Sequence, residues 1–205
     1  RHPVTVKKDS VLSTSIPPAV RPWLMLAAAL VLIQAIPDAS AWLRYDRAGV
    51  EHGQLWRVLT ANFIHLGWGH LVLNTAGLLA IGWLFAEDYS LGEWIFILVI
   101  CSVVTSAGLH LLNPEILWCV GMSGALHGLF VAGAIALLFD APRLGIGLLI
   151  GVTAKIGYEQ VAGAMPFSEG IVGGLVVTDA HLWGALGGLA AALVVRIWRR
   201  NNRRL

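Results

Sequence analysis

Six stretches of the sequence approach the length and apolarity of a bilayer-crossing helix, and no other feature limits the fold as tightly. They run from about Val20 to Ile36, His70 to Phe85, Trp94 to Leu112, Gly121 to Phe139, Leu144 to Val161 and Leu175 to Trp198. A hydrocarbon core takes about 20 residues of apolar helix to cross. Composition agrees: 57% of the 205 residues are hydrophobic and 13% are charged, against about 25% charged in a soluble domain. That is too little polar surface to coat a water-soluble globule. The sequence therefore predicts an all-α membrane protein, a six-transmembrane-helix bundle over residues 20–198. A cytoplasmic N-terminal segment (1–19) and a basic cytoplasmic tail (199–205) flank it.

The charges sit between and around these runs. The stretch from Pro37 to about Gly69 holds Arg44, Asp46, Arg47, Glu51 and Arg57 beside Trp42, Trp56 and Trp68. Such a mixture suits the membrane–water interface, and the stretch is too long for a plain connector. A long interfacial first loop is expected. Lys7, Lys8 and Arg21 precede the first run, and Arg196, Arg199, Arg200, Arg203 and Arg204 crowd the last ten residues. An even number of spans puts both termini on one side, and the basic clusters assign that side to the cytoplasm. These clusters read as lipid-bilayer anchors, and no nucleic-acid partner is expected. Cys101 and Cys119 lack partners at zinc-finger spacing and read as inert buried thiols. No cleavable leader is expected, because about twenty mostly polar residues precede the first apolar run.

The fourth run carries the chemistry. After Gly121 only about 18 residues remain before Asp140, which gives about 27 Å of helix. The irregular stretch from Asn113 to Met122 must then lie at membrane depth, where protein or a wet cavity has to cover it. Ser123 is expected at a helix N-terminus, beside unpaired N–H groups and the positive end of the dipole. His181 enters the sixth run at a comparable depth, and an ionisable residue within a span suggests function by default. Gly124 and Gly128 follow Ser123, while Gly184 and Gly188 follow His181. Small residues at four-residue spacing allow close backbone approach, which would bring Ser123 Oγ within reach of the imidazole. His70 and Asn74 lie one turn apart and could complete an oxyanion hole or form a structural pair. Lys155 and Glu159, also one turn apart, read as a neutralised structural pair or a polar contact at a substrate gate. No carboxylate stands obviously beside His181, since Asp179 should point elsewhere on its helix.

These residues resemble the rhomboid family of intramembrane serine proteases over about Trp56 to Gly188. Trp56-Arg57 looks like the family's first-loop pair. His65, His70 and Asn74 look like its second-span signature, whose last His and Asn support the oxyanion. Gly121-Met122-Ser123-Gly124 looks like its nucleophile motif, and Ala180-His181-x-x-Gly184-x-x-x-Gly188 like its base-bearing span. Glu87 falls where the family often has a structural glutamate. The resemblance implies a Ser123–His181 dyad without a carboxylate, no cofactor and no metal, in a bacterial inner membrane. His127 stands where many members carry an aromatic residue packed on the catalytic histidine. Gly-x-Ser-Gly-x-x-His-Gly is similar to the rhombosortase branch. That branch implies membrane-anchored substrates ending in Gly-Gly, an apolar helix and a basic tail.

Other readings fit the residues less well. A metalloprotease lacks its His-Glu-x-x-His here, and Asp140 and Asp179 lie at opposite ends of their runs, as an aspartyl protease would not have them. A general rhomboid protease with other substrates, or a non-catalytic rhomboid-like binding protein, remain the alternatives.

Overall fold

The computed structural model describes residues 16–202. Lys7, Lys8, Arg203 and Arg204, with most of the two terminal segments, lie outside the described residues. A 3-10 turn, Pro18–Val20, leads into α1 (Arg21–Gln34), with Pro22 in the first turn, where a missing N–H is tolerated. The first loop then folds into α2 (Ala39–Leu43), β1 (Tyr45–Asp46), α3 (Arg47–Glu51), α4 (Arg57–Thr60) and a 3-10 turn, Ala61–Phe63. Beyond it come α5 (Trp68–Phe85), α6 (Leu91–Leu112), β2 (Trp118–Cys119), α7 (Ser123–Asp140), α8 (Pro142–Ala162), α9 (Ser168–Val172) and α10 (Thr178–Asn202).

Of these, α5, α6, α7 and α10 are long and apolar enough to cross a membrane. The first helix is shorter, at 14 residues. Although α8 has 21 residues, four glycines, Lys155, Glu159 and Gln160 dilute its apolarity. The outward faces of the bundle carry Leu32, Val72, Trp83, Leu112 and Val161, all exposed. Contiguous apolar surface of this extent is a liability in water and the normal condition in lipid. Inside, α7 is the most enclosed helix, packed against α5, α6, α8 and α10.

One end of the bundle is closed by aromatic and ionic contacts. The Trp23 ring fills the space beside Gly82 and meets Trp94 edge-on, with centroids 5.0 Å apart. Arg199 donates through Nε and Nη2 to the two oxygens of Glu93, at 2.6 Å each. Ser90 and Glu93 form a capping box at the start of α6. Arg196 lies over the Phe139 ring. Thus the starts of α1 and α6 and the ends of α5, α7 and α10 share this end. Two expectations change here. Glu87 is exposed, and Glu93 is the glutamate that ties helices together. Arg199, expected as a basic anchor, is also part of that tie.

The other end is closed by the first loop. Arg47 donates to the carbonyls of Leu109, His110, Asn113 and Ile116 and so caps the end of α6. The two short strands pair antiparallel, Tyr45 with Cys119 and Asp46 with Trp118. The Gly121 N–H donates to the Ala61 carbonyl at 3.0 Å. These bonds clothe the irregular 113–122 backbone with protein, as its depth requires. The Gly163–Gly174 stretch holds α9, which the sequence did not suggest. Gly69 leaves no room for a Cβ against the Ile171 carbonyl, so α9 sits on the start of α5. The last helix begins at Thr178, three residues later than expected. β-branched Val176 and Val177 lie before the helix, and Thr178 and Asp179 are residues that favour a helix start.

Candidate active site

Ser123 is the first residue of α7 and His181 the fourth of α10. What lets these helices meet is a row of glycines. A Cβ on Gly184 would collide with the Gly124 carbonyl, one on Gly188 with that of Gly128, and one on Gly128 with that of Gly184. The backbones therefore touch, as small residues at this spacing permit. At the head of the contact, Ser123 Oγ lies 3.0 Å from His181 Nε2.

Behind the imidazole the structure differs from expectation. His181 Nδ1 lies 2.8 Å from Glu159 Oε2, and Lys155 Nζ lies 2.7 Å from Glu159 Oε1. The expectation that no carboxylate accompanies His181 is overturned. Glu159 comes from α8, 22 positions earlier in the chain, and its side chain is 2% exposed. Lys155 and Glu159 do pair, and the second carboxylate oxygen of Glu159 turns to the imidazole. An ionised carboxylate only accepts, so Nδ1 carries the hydrogen and Nε2 is left to accept from the serine hydroxyl.

His127 stacks on His181, with centroids 4.2 Å apart and planes 19° from parallel. Its Nδ1 donates to the Ser123 carbonyl at 2.7 Å, which fixes the ring over its neighbour. Donor atoms of His127, Glu159 and His181 all lie within 4.8 Å of one another, the spacing of a metal site. However, both ring nitrogens of His181 are already hydrogen-bonded, and stacked rings do not aim their lone pairs at a common point. The arrangement is a hydrogen-bonded chain, not a ligand set.

Across from Ser123, α5 supplies His70 and Asn74, both buried. Leu66 N–H donates to His70 Nδ1 at 3.4 Å, so the ring hydrogen of neutral His70 sits on Nε2. His65 braces this ring edge-on, with centroids 5.1 Å apart. Burial, and then the neighbouring His70, push His65 down to about 3 and keep it neutral. Asn74 Nδ2 is a buried donor with no hydrogen-bond partner among the described residues. The two side chains flank Gly121, whose φ is +116° and whose Cβ would lie 2.6 Å from His70 Nε2. Only glycine suits that position, by backbone and by space. Two donors from a third helix thus line the cavity that Ser123 also lines.

Ser123, His181, Glu159, Lys155, His127, His70 and Asn74 all line one cavity of about 1200 Å³, whose other walls include residues of α5, α7 and α8. Its walls are largely apolar. Trp56 and Arg57 do not reach it. Trp56 Nε1 donates to the Trp42 carbonyl, and buried Arg57 donates to Gln54 Oε1 and the carbonyls of Arg44 and Ala41. They fold the first loop. A serine hydroxyl hydrogen-bonded to an imidazole beside a largely apolar cavity is an arrangement able to carry out acyl transfer.

Comparison with known proteins agrees. The rhomboid domain family matches residues 52–198. The uncharacterized protein Rv1337 of Mycobacterium tuberculosis is 30% identical over 191 residues, covering 89% of this chain and 77% of that one. The putative rhomboid protease YdcA of Bacillus subtilis is 29% identical over 180 residues, covering 83% and 85% respectively. Rhomboid protease GluP of the same organism is 24% identical over 148 residues, 70% of this chain and 26% of that longer one. With its family match spanning the helices that carry Ser123, His181, His70 and Asn74, the chain belongs to the rhomboid family.

Proposed function

We propose that this protein is an intramembrane serine endopeptidase in which Ser123 is the nucleophile and His181 the base. The observation that carries this reading is the 3.0 Å contact between Ser123 Oγ and His181 Nε2 at the wall of an apolar groove. Ser123 Oγ attacks the scissile carbonyl carbon while its proton passes to Nε2. The oxyanion is met by His70 Nε2–H, Asn74 Nδ2–H and the free N–H groups at the start of α7. Nε2 then returns the proton to the leaving amine, and water, deprotonated by the same nitrogen, releases the acyl group. In this reading all six long helices cross the bacterial inner membrane, with both termini cytoplasmic and the first loop in the outer interface. The groove between α5 and α8 admits the substrate sideways.

The substrate class is a single-span protein whose Gly-Gly pair precedes a short apolar helix and a basic tail. Gly121–Gly128 with His127 supports this rhombosortase-type reading, and so does physics. A helical carbonyl is hydrogen-bonded and shielded, so the segment must unwind before Ser123 reaches it. Glycine costs about 1 kcal/mol relative to alanine in a helix, so a Gly pair frays readily where the helix meets water. It also brings no side chain into a crowded site. Purified protein is expected to cut such a substrate beside the Gly pair. Ser123→Ala and His181→Ala should each abolish the cut, and the double variant should be little worse than either. Cleavage that persists in Ser123→Ala defeats the protease reading. Unchanged cleavage after both glycines become leucine leaves a general rhomboid protease, and binding without cleavage by the unsubstituted protein leaves a non-catalytic relative.

A further inference from the structure

We infer that Glu159 is the positioning carboxylate of a Ser123–His181–Glu159 triad, and that Lys155 is the counter-charge that keeps His181 free to accept a proton. The inference rests on the protease reading above and departs from the carboxylate-free dyad that resemblance to the family implies. Three contacts form an unbroken chain across three helices: Ser123 Oγ to His181 Nε2 at 3.0 Å, His181 Nδ1 to Glu159 Oε2 at 2.8 Å, and Glu159 Oε1 to Lys155 Nζ at 2.7 Å. Each carboxylate oxygen has one partner, so the side chain is held from both sides. The carboxylate is nearly sealed, whereas the Lys155 side chain is 35% exposed at the cavity.

Two consequences follow from charge. When Ser123 Oγ bonds to the substrate carbonyl carbon, its proton goes to Nε2 and His181 becomes an imidazolium. Glu159 stabilises that cation through the Nδ1–H bond without itself taking the proton. A lone buried carboxylate at this distance would also favour the imidazolium before substrate arrives, and a protonated ring cannot accept the serine proton. Lys155 offsets that bias. Its pairing leaves the dipole of an ion pair behind the imidazole rather than a bare negative charge, which suits a base that must be neutral at rest and charged in the transition state. Stacked His127 lies on the ring face and donates to the Ser123 carbonyl, so it steers the imidazole without competing for either nitrogen.

The chain makes a prediction of sign that a merely structural ion pair does not. The test is the rate at which a fluorophosphonate labels Ser123 in the full chain, followed across pH. The ionisable groups around the imidazole are His127 on α7, Lys155 and Glu159 on α8, and His70 on α5. Glu159→Gln removes the anion and leaves the cation, so the pH of half-maximal labelling should fall by about one unit or more. The plateau rate should also drop, by about 10-fold up to the ~10⁴-fold seen when a triad carboxylate is neutralised. Lys155→Met removes the cation and leaves the anion, so the half-maximal pH should rise. Opposite shifts support the triad. Half-maximal pH values unchanged in both variants, with only thermal stability altered, overturn it. Should Glu159→Gln not fold, Lys155→Met alone decides: a rise supports the inference, and no change or a fall overturns it. If the unsubstituted protein is not labelled, or Ser123→Ala is labelled equally, the protease reading itself has failed and takes this inference with it.

Discussion

Asn74 lines the same cavity as Ser123 and His181. Its Nδ2 is buried with no partner among the described residues, a condition that costs a folded protein about 1–3 kcal/mol. A donor held unsatisfied beside a nucleophile is pre-organised for a charge that appears only during reaction. Asn74→Ala should therefore lower kcat by about 10²–10³-fold while KM stays within about twofold. The melting temperature should hold or rise, because the orphaned donor is gone. A fall in stability together with activity would instead assign Asn74 to packing. This residue was legible in the sequence, as were Ser123, His181 and His70, because each lies on an apolar helix where a polar side chain has no cheap explanation. Glu159 was legible only in half. The four-residue spacing to Lys155 announced their pairing, but not that the other oxygen turns to His181. Which neighbouring helix a face meets is a tertiary fact, and no in-helix spacing contains it.

At the scale of elements, the contact of α7 with α10 sets the geometry of the site. Backbone touches backbone at Gly124, Gly128, Gly184 and Gly188, so any side chain there must push the helices apart. Gly188→Val, two turns from His181, puts its Cβ onto the Gly128 carbonyl. Overpacking of this kind costs about 1–3 kcal/mol, and a shift of about 1 Å between reacting groups costs about 10²-fold in rate. The expected result is a lower melting temperature together with at least about 10-fold slower cleavage. Gly157 on α8 is the matched control, since a Cβ there meets nothing within 4 Å. Gly157→Ala should keep cleavage intact and leave stability equal or slightly raised. Equal effects from the two substitutions would mean that the close approach does not hold the site together. Such long packed elements are plain in the sequence because their apolar runs exceed any alternative use. The five-residue helices α2, α3 and α9 are not. Their order comes from contacts, Arg57 with the Arg44 and Ala41 carbonyls or Ile171 against Gly69, and a single turn has no periodicity to detect.

The whole molecule is polarised from end to end. At one end the starts of α1 and α6 meet the ends of α5, α7 and α10, through Trp23, Trp94, Glu93 and Arg199. Arg196, Arg199 and Arg200 occupy the last two turns of α10 there, where cations also suit the negative end of the helix dipole. At the opposite end lie Ser123, His181, the first loop and α9. Arginine is retained on the cytoplasmic side of membrane proteins, so the arginine-rich end is expected to face the cytoplasm and the Ser123 end the outside. Glutamate adds little to that bias, and Arg21, Arg143, Arg196, Arg199 and Arg200 at this end outnumber Arg44, Arg47 and Arg57 in the first loop. The proposed substrate class depends on this orientation. A substrate helix with a basic C-terminal tail would insert with its tail beside the arginine-rich end, which brings the residues before its helix level with Ser123. The measurement is single-cysteine accessibility in intact cells, after Cys101 and Cys119 are replaced by serine or alanine. A membrane-impermeant maleimide should label Glu115→Cys in the outward loop before α7, and should label Asn202→Cys only after the cells are opened. Labelling in the reverse order would put Ser123 near the cytoplasmic face. A substrate with a cytoplasmic basic tail would then be cut at the wrong end of its helix, and the proposed substrate class would fall even with the chemistry of Ser123 and His181 intact.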